Sequence, residues 1–267
     1  MNDLMIHAKE KDGTKRARIV TRDELVGLVT PPPQGPRHKP VPHTDLVDGL
    51  LNSLDRSGFD VTREQYAVGM RRKGPDGEVY PDTTIFGALN VRARGGNGRN
   101  PDTEDYTRAI GFRSNNVQAL AIKLVAGANV FVCDNLCLSG EQALCNKQHT
   151  TGLNLPVELD RAVNGLVGQG QRFDELVEAM QDCNLPARQA QALLFSMFAK
   201  KVLPLRLLPE VNGNYFSPKE EWEDCKPRTV WGVHNAVTRA LNDLPLNRRL
   251  DSTADTTRFL AGAFNLN

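Results

Sequence analysis

Near residue 141 the spacing of apolar residues changes from every second position to every third or fourth, and this change restricts the fold more than any other feature. Alternation by two sends successive side chains to opposite faces of a strand, whereas i, i+3, i+4 spacing lines one face of a helix. Before the change, alternation runs through about 64–73 (Tyr66, Val68, Met70) and about 83–94 (Ile85, Gly87, Leu89, Val91), with the turn-forming GPDG at 74–77 between them. A third strand is expected through Tyr106, Ile110 and Phe112, and two further apolar runs, ALAIKLV and NVFVC, flank AGAN, which reads as a tight turn. After the change, helices are expected at about 156–182, 186–201, 228–243 and 252–264, with Gly168 and Gly170 a weak point in the first. Strands first and helices afterwards predict an α+β fold, because βαβ crossovers would interleave the two. The expected architecture is an antiparallel meander of about five strands, preceded by one helix and followed by a helical C-terminal half.

The preceding helix is expected at 44–57, N-capped by Thr44, with Leu46, Val47, Leu50, Leu51 and Leu54 at helical spacing and Gly58 ending it. Upstream, TPPPQGPRHKPVP concentrates residues that cannot donate a backbone hydrogen bond. The expected organisation is therefore an extended N-terminal segment and proline-rich linker at 1–43, then a single α+β domain at 44–267. Its sheet part would cover about 44–140 and its helical part about 151–267.

Composition narrows the function classes. With 40% hydrophobic and 24% charged residues the 267-residue chain has an ordinary globular balance, and no run approaches the roughly 20 apolar residues that a bilayer crossing needs. The opening MNDLMIHAKEKDG turns charged at once, so no membrane partner and a cytoplasmic location are expected. Five cysteines, an odd number, suit a reducing compartment. The 33 basic and 32 acidic residues leave a net charge of +1, so any attraction to nucleic acid must be local.

Such a local feature lies in NVRARGGNGRNP, where Arg92, Arg94 and Arg99 surround three glycines with no acid between Asp82 and Asp102. Arginines at alternate strand positions can follow a sugar-phosphate backbone, and glycine lets the chain approach it closely. Arg71, Arg72 and Arg113 complete the candidate nucleic-acid-binding set; the plain alternative is a solvated hairpin tip. In CDNLCLSGEQALCNKQH, the four groups Cys133, Cys137, Cys145 and His149 offer weak zinc ligands, but the irregular spacing favours no metal and no cofactor. In WGVHNAVTRALND, His234, Asn235 and Thr238 share a helical face, and with Asp134 and Asn135 they are expected to form a structural polar network between that helix and the VFVCDNL strand. No phosphate-loop motif is present, and G-L-V-G-Q-G at 165–170 sits inside helical sequence. No catalytic residue is assigned, and an enzyme is the less favoured reading.

Taken together, IGFRSNN, LAIKLVAGANVFVCDNLCLSGE, the KQHT segment and TVWGVHNAVTRAL resemble the YafZ/YfjQ-like family of phage, prophage and plasmid proteins over about residues 40–260. His234 stands where the family pattern has tyrosine. The resemblance implies a mobile-element protein and supplies no catalytic residues. The order of a helix, a basic meander and a long helix is also similar to single-strand annealing recombinases of the RecT and eukaryotic Rad type, an analogy of fold alone. The expected function is nucleic-acid binding, single-stranded DNA handling in recombination or replication. The alternatives are an anti-defence protein that binds a host protein and a metal-supported, nuclease-like enzyme. Self-association into a homo-oligomer is the remaining partner considered.

Overall fold

A computed structural model describes residues 10–11, 14–15, 17–69, 71–94, 106–117, 120–130, 135–138, 144–219, 228–242, 244 and 246–266. The fold is α+β, with an antiparallel sheet and several helices in the C-terminal half. In chain order the strands are β1 (Glu10–Lys11), β2 (Thr14–Lys15), β3 (Ala17–Val20), β4 (Phe59–Gly69), β5 (Arg72–Lys73), β6 (Val79–Tyr80), β7 (Thr84–Ala93), β8 (Tyr106–Asn115), β9 (Ile122–Val130), β10 (Asn135–Leu138) and β11 (Cys145–Lys147). The helices are α1 (Arg22–Val26), α2 (His43–Arg56), α3 (Leu155–Asp182), α4 (Ala187–Ala199), α5 (Leu208–Phe216), α6 (Val230–Leu241) and α7 (Leu246–Ala263). The main sheet has the order β10-β9-β8-β7-β4-β3, and β11 also pairs with β9.

The chain gathers into two compact units. The first comprises 1–100, 108–126 and 142–167, and the second 101–107, 127–141 and 168–267. The physical reason is that the apolar residues form two separate cores. In the first unit, Tyr66, Val68, Ile85, Leu89, Ile110, Phe112 and Leu124 of the sheet pack with Leu46, Leu50 and Leu54 of α2 and Leu159 and Val163 of α3. Gly49 makes the approach of the two helices feasible, since a Cβ there would lie 2.8 Å from Leu159 Cδ1. In the second unit, Phe173, Val177 and Met180 of α3 join Leu194 and Met197 of α4, Tyr215 of α5, and Trp231, Val233 and Val237 of α6.

Three local expectations are corrected. The N-terminal segment is not wholly extended: β3 is the edge strand of the main sheet, and α1 carries a capping box in which Thr21 Oγ1 accepts from Glu24 N and Thr21 N donates to Glu24 Oε2. Helix α2 begins at His43, one residue early, with Pro42 at its N-cap; the Pro42 carbonyl accepts from Leu46 N at 3.2 Å, so Thr44 does not cap it. The AGAN segment is not a turn. It lies inside β9, where Gly127, Ala128 and Asn129 pair with Leu138, Cys137 and Leu136 of β10, so β9 runs on to Val130. Two features at the strand and helix ends match their residue chemistry: Gly58 follows α2 at φ +79°, and Gly77 closes the β5–β6 turn at φ +87°.

Candidate nucleic-acid interface

Registers place the cationic residues. In β7, Ile85, Leu89 and Val91 belong to the first core, so Thr84, Phe86, Ala88, Asn90 and Arg92 lie on the opposite face. In β8, Ile110 and Phe112 face the core while Arg113 sits opposite Phe86 and Ala109 opposite Asn90. In β4 a bulge between Val61 and Arg63 sets Arg63 opposite Asn90, Gln65 opposite Ala88 and Ala67 opposite Phe86. Lys123 of β9, between the core residues Ile122 and Leu124, joins the same face. This second face thus carries Arg63, Arg92, Arg113 and Lys123 on four adjacent strands, around a centre of Gln65, Ala67, Phe86, Ala88, Asn90 and Ala109. Among the described residues of those strands, Asp60, opposite Arg92 at the end of the ladder, is the acid that shares the face.

The central positions are buried, whereas Arg63 and Arg113 are half-buried and Arg92 is exposed. The Asn90 side-chain oxygen is buried with no hydrogen-bond partner among the described residues. Arg92 and Arg113 stand about 20 Å apart along the strands, since Arg113 is level with Phe86, six residues before Arg92 at about 3.3 Å each.

The sequence-predicted arginines do not converge on one spot. Arg94 donates to the Asp60 and Asp55 carboxylates and to the carbonyls of Asp55 and Phe59. Hydrogen bonds to Asp55 and then Asp60 raise its pKa. The hairpin that looks free of acids along the chain is flanked in space by two, and Arg94 is withdrawn from the phosphate-binding set. Arg71 and Arg72 are exposed near the Gly69 end of β4, the far end from Arg92, because Gly69 pairs with Thr84 while Phe59 pairs with Ala93. Arg99 lies outside the described residues. Sequence reading missed Arg63 and Lys123, although Lys123 stands directly between the core residues Ile122 and Leu124.

Among the cysteine and histidine candidates, Cys145 is buried opposite Leu124, and burial pushes its thiol up to about 11. His149 is buried and shares a 2.9 Å hydrogen bond between its Nε2 and Ser114 Oγ. Cys133 and the side chain of Cys137 lie outside the described residues, and among the described residues no three His, Cys, Asp or Glu side chains are grouped to hold a metal.

The polar residues of α6 serve a buried, mostly helical environment. His234 stacks on Trp231 at 4.9 Å and 11°, and its Nε2 meets Thr257 Oγ1 of α7 at 2.9 Å. Thr257 Oγ1 also donates to Thr253 O at 3.2 Å. Burial pushes this imidazole down to about 3. Asn235 is fully buried. Thr238 Oγ1 donates to His234 O at 2.9 Å and lies 3.3 Å from Asn235 O, both in its own helix. Helices α6 and α7 both neighbour β10, whose first residue is Asn135; Asp134 lies outside the described residues.

Among the described residues no helix is long and apolar enough to cross a membrane. No protein-family model matches the chain, and neither a curated protein nor a solved structure does.

Proposed function

We propose that the protein binds nucleic acid through the second face of its sheet, and that the bound form is single-stranded DNA handled during recombination or replication of a phage or plasmid. The observation that carries this reading is the placement of Arg63, Arg92, Arg113 and Lys123 on one face of four adjacent strands, in a chain whose net charge is +1. A local array of this kind attracts a polyanion where the whole molecule does not. Four cations rim a strip of small residues, amides and one aromatic ring, Phe86. A flexible single strand can bring phosphates to the separate cations at the rim of this buried strip, which a rigid duplex does less readily. A mobile-element setting belongs to the same proposal, and the reading requires no catalytic residue, metal or cofactor. Cytoplasmic location and self-association belong to the same proposal.

The test is binding of a fluorescent single-stranded oligonucleotide across a salt series. Each phosphate contact contributes a slope of about 0.7 in log K against log salt, so Arg63→Ala with Arg113→Ala should lower the slope by about 1.4. Arg94→Ala, which removes a cation already held by Asp55 and Asp60, should leave affinity and slope unchanged. Absence of binding at low salt, or an unchanged slope in the double variant, would overturn the assignment.

A further inference from the structure

The second unit carries an aromatic and cationic surface of its own, on α4 and the segment that follows it. Ala190, Leu193, Leu194 and Met197 turn one side of α4 into the second core. Arg188, Ala192, Phe195 and Ala199 recur at i, i+4, i+7 and i+11, which places them on the opposite side, and all four are exposed. Phe195 is 65% exposed, and its ring centroid lies 6.2 Å from that of the half-buried Phe198 at 56°. The ring is therefore braced by a neighbour and largely open to solvent.

The charge around it has one sign along the chain. No acidic residue occurs between Asp182 and Glu210, a stretch that holds Arg188, Lys200, Lys201 and Arg206. These four cations are exposed, and among the described residues no ion pair or side-chain hydrogen bond holds any of them. Arg94 is the contrasting case of a cation held by two carboxylates. Arg188 precedes Phe195 by two helical turns, about 10 Å along the axis, and the two lysines close the helix beyond it. Lys201 has φ +61°; its N–H donates to Phe198 O and Val202 N–H donates to Met197 O, both at 2.9 Å. These bonds end the helix in the motif whose left-handed position glycine ordinarily fills. The helix dipole calls for a cation at this end, which Lys200 already supplies. A second lysine in a strained conformation points to a use outside the fold.

We infer that this surface of α4 is a second contact for single-stranded nucleic acid, with Phe195 stacking on a base and Arg188, Lys200, Lys201 and Arg206 meeting phosphates. The inference rests on the reading of the protein as a single-strand binder and adds a contact in the other unit. Unpaired cations attract any polyanion, but an exposed ring selects a single strand, because the bases of a duplex are already stacked on one another. An acidic peptide would satisfy the same cations, yet its apolar anchors need a groove, and Phe195 stands between Ala192 and Ala199 on a convex helix face.

The test uses the full chain and a fluorescent single-stranded oligonucleotide, with thermal unfolding as the control for folding. Phe195→Ala should weaken binding by about tenfold at an unchanged salt slope, since a stacked base is lost and no phosphate contact is. Phe195→Tyr should keep the wild-type affinity, and Phe195→Leu should fall with the alanine variant. Arg188→Ala with Lys201→Ala should lower the slope of log K against log salt by about 1.4. Loss of slope in Arg63→Ala with Arg113→Ala but in none of the α4 variants would refute the second contact and leave the sheet reading standing. Loss in the α4 variants alone would support the second contact and remove the sheet face. Wild-type chain that binds no oligonucleotide at low salt, or binds an acidic peptide there in its place, refutes both.

Discussion

Replacing Gly87 by alanine probes whether the sheet is packed against its core as described. Gly87 lies opposite Tyr66 on β4 and Phe112 on β8, and the Phe112 ring fills the position above it. A Cβ at residue 87 would stand 2.0 Å from Phe112 Cζ and 2.2 Å from Cε1. Ordinary carbon contact is about 3.5–4.0 Å, so the ring would have to retreat by roughly 1.5 Å. Phe112 is fully buried and its ring packs 6.2 Å from that of Tyr66, so the retreat meets other core atoms. Overpacking of this kind costs about 1–3 kcal/mol, and a fully enclosed ring places it near 3. Loss of glycine freedom in the unfolded chain returns about 0.4–1 kcal/mol, leaving a net destabilisation of about 2. At roughly 2–4 °C per kcal/mol for a chain of this size, Tm should fall by about 4–8 °C. Thermal and urea unfolding followed by circular dichroism measure it, and repeating Gly87→Ala in a Phe112→Leu background isolates the contact. The cost should shrink once the ring is gone. An equal cost in both backgrounds, or an unchanged Tm for the single variant, would refute the packing argument.

Two further outcomes follow from buried groups. Burial, with like-charge repulsion from His38 and His43, pushes His149 from its ordinary 6.5 down to about 4. In the pH window between those values the unfolded chain binds the proton and the folded one does not, so stability present above pH 6.5 should fall by roughly 3 kcal/mol as pH drops towards 4. His149→Gln should flatten that part of the Tm profile, and a wild-type Tm that stays level from pH 7 to 5 would count against a neutral buried ring. Arg249 is buried on α7 and donates to Asn242 O at the end of α6 at 2.6 Å. Arg249→Met should therefore cost about 1.5–3 kcal/mol in urea unfolding with little change in oligonucleotide binding.

The strands were legible because a sheet with one apolar face writes itself as alternation, as in Ile85, Leu89 and Val91 of β7. The long helix α3 was legible for the parallel reason, and Gly165, Gly168 and Gly170 do not interrupt it. Misreadings came where local chemistry and tertiary context disagree. AGAN has turn residues, yet pairing with β10 holds it in a strand. The capping box Thr21–Glu24 was a visible signal of α1, masked by the charged sequence around it. The candidate interface was legible in residue type and not in placement. Arg94 is bound by Asp55 and Asp60, 39 and 34 residues earlier in the chain, a proximity no local pattern contains. His38 and His43 went unnoticed because prolines made their segment look like a linker, while the burial that gives them meaning depends on Asp82 and residues of the β8 and β11 regions.

The bulge in β4 links these observations. Phe59 and Val61 face the first core, and an unbroken period of two would send Arg63 into that core and Tyr66 and Val68 to the opposite face. Setting Val61 opposite Val91 and Arg63 opposite Asn90 inserts Thr62 as the extra residue, so the parity reverses between them. Tyr66 and Val68 then enter the core, and Arg63, Gln65 and Ala67 join Arg92 and Arg113 on the other side. The reversal is written in the chain as apolar residues at odd positions, 59 and 61, followed by apolar residues at even ones, 66 and 68. One irregularity thus accounts both for the continuous core beneath α2 and for the extension of the cationic face onto a fourth strand.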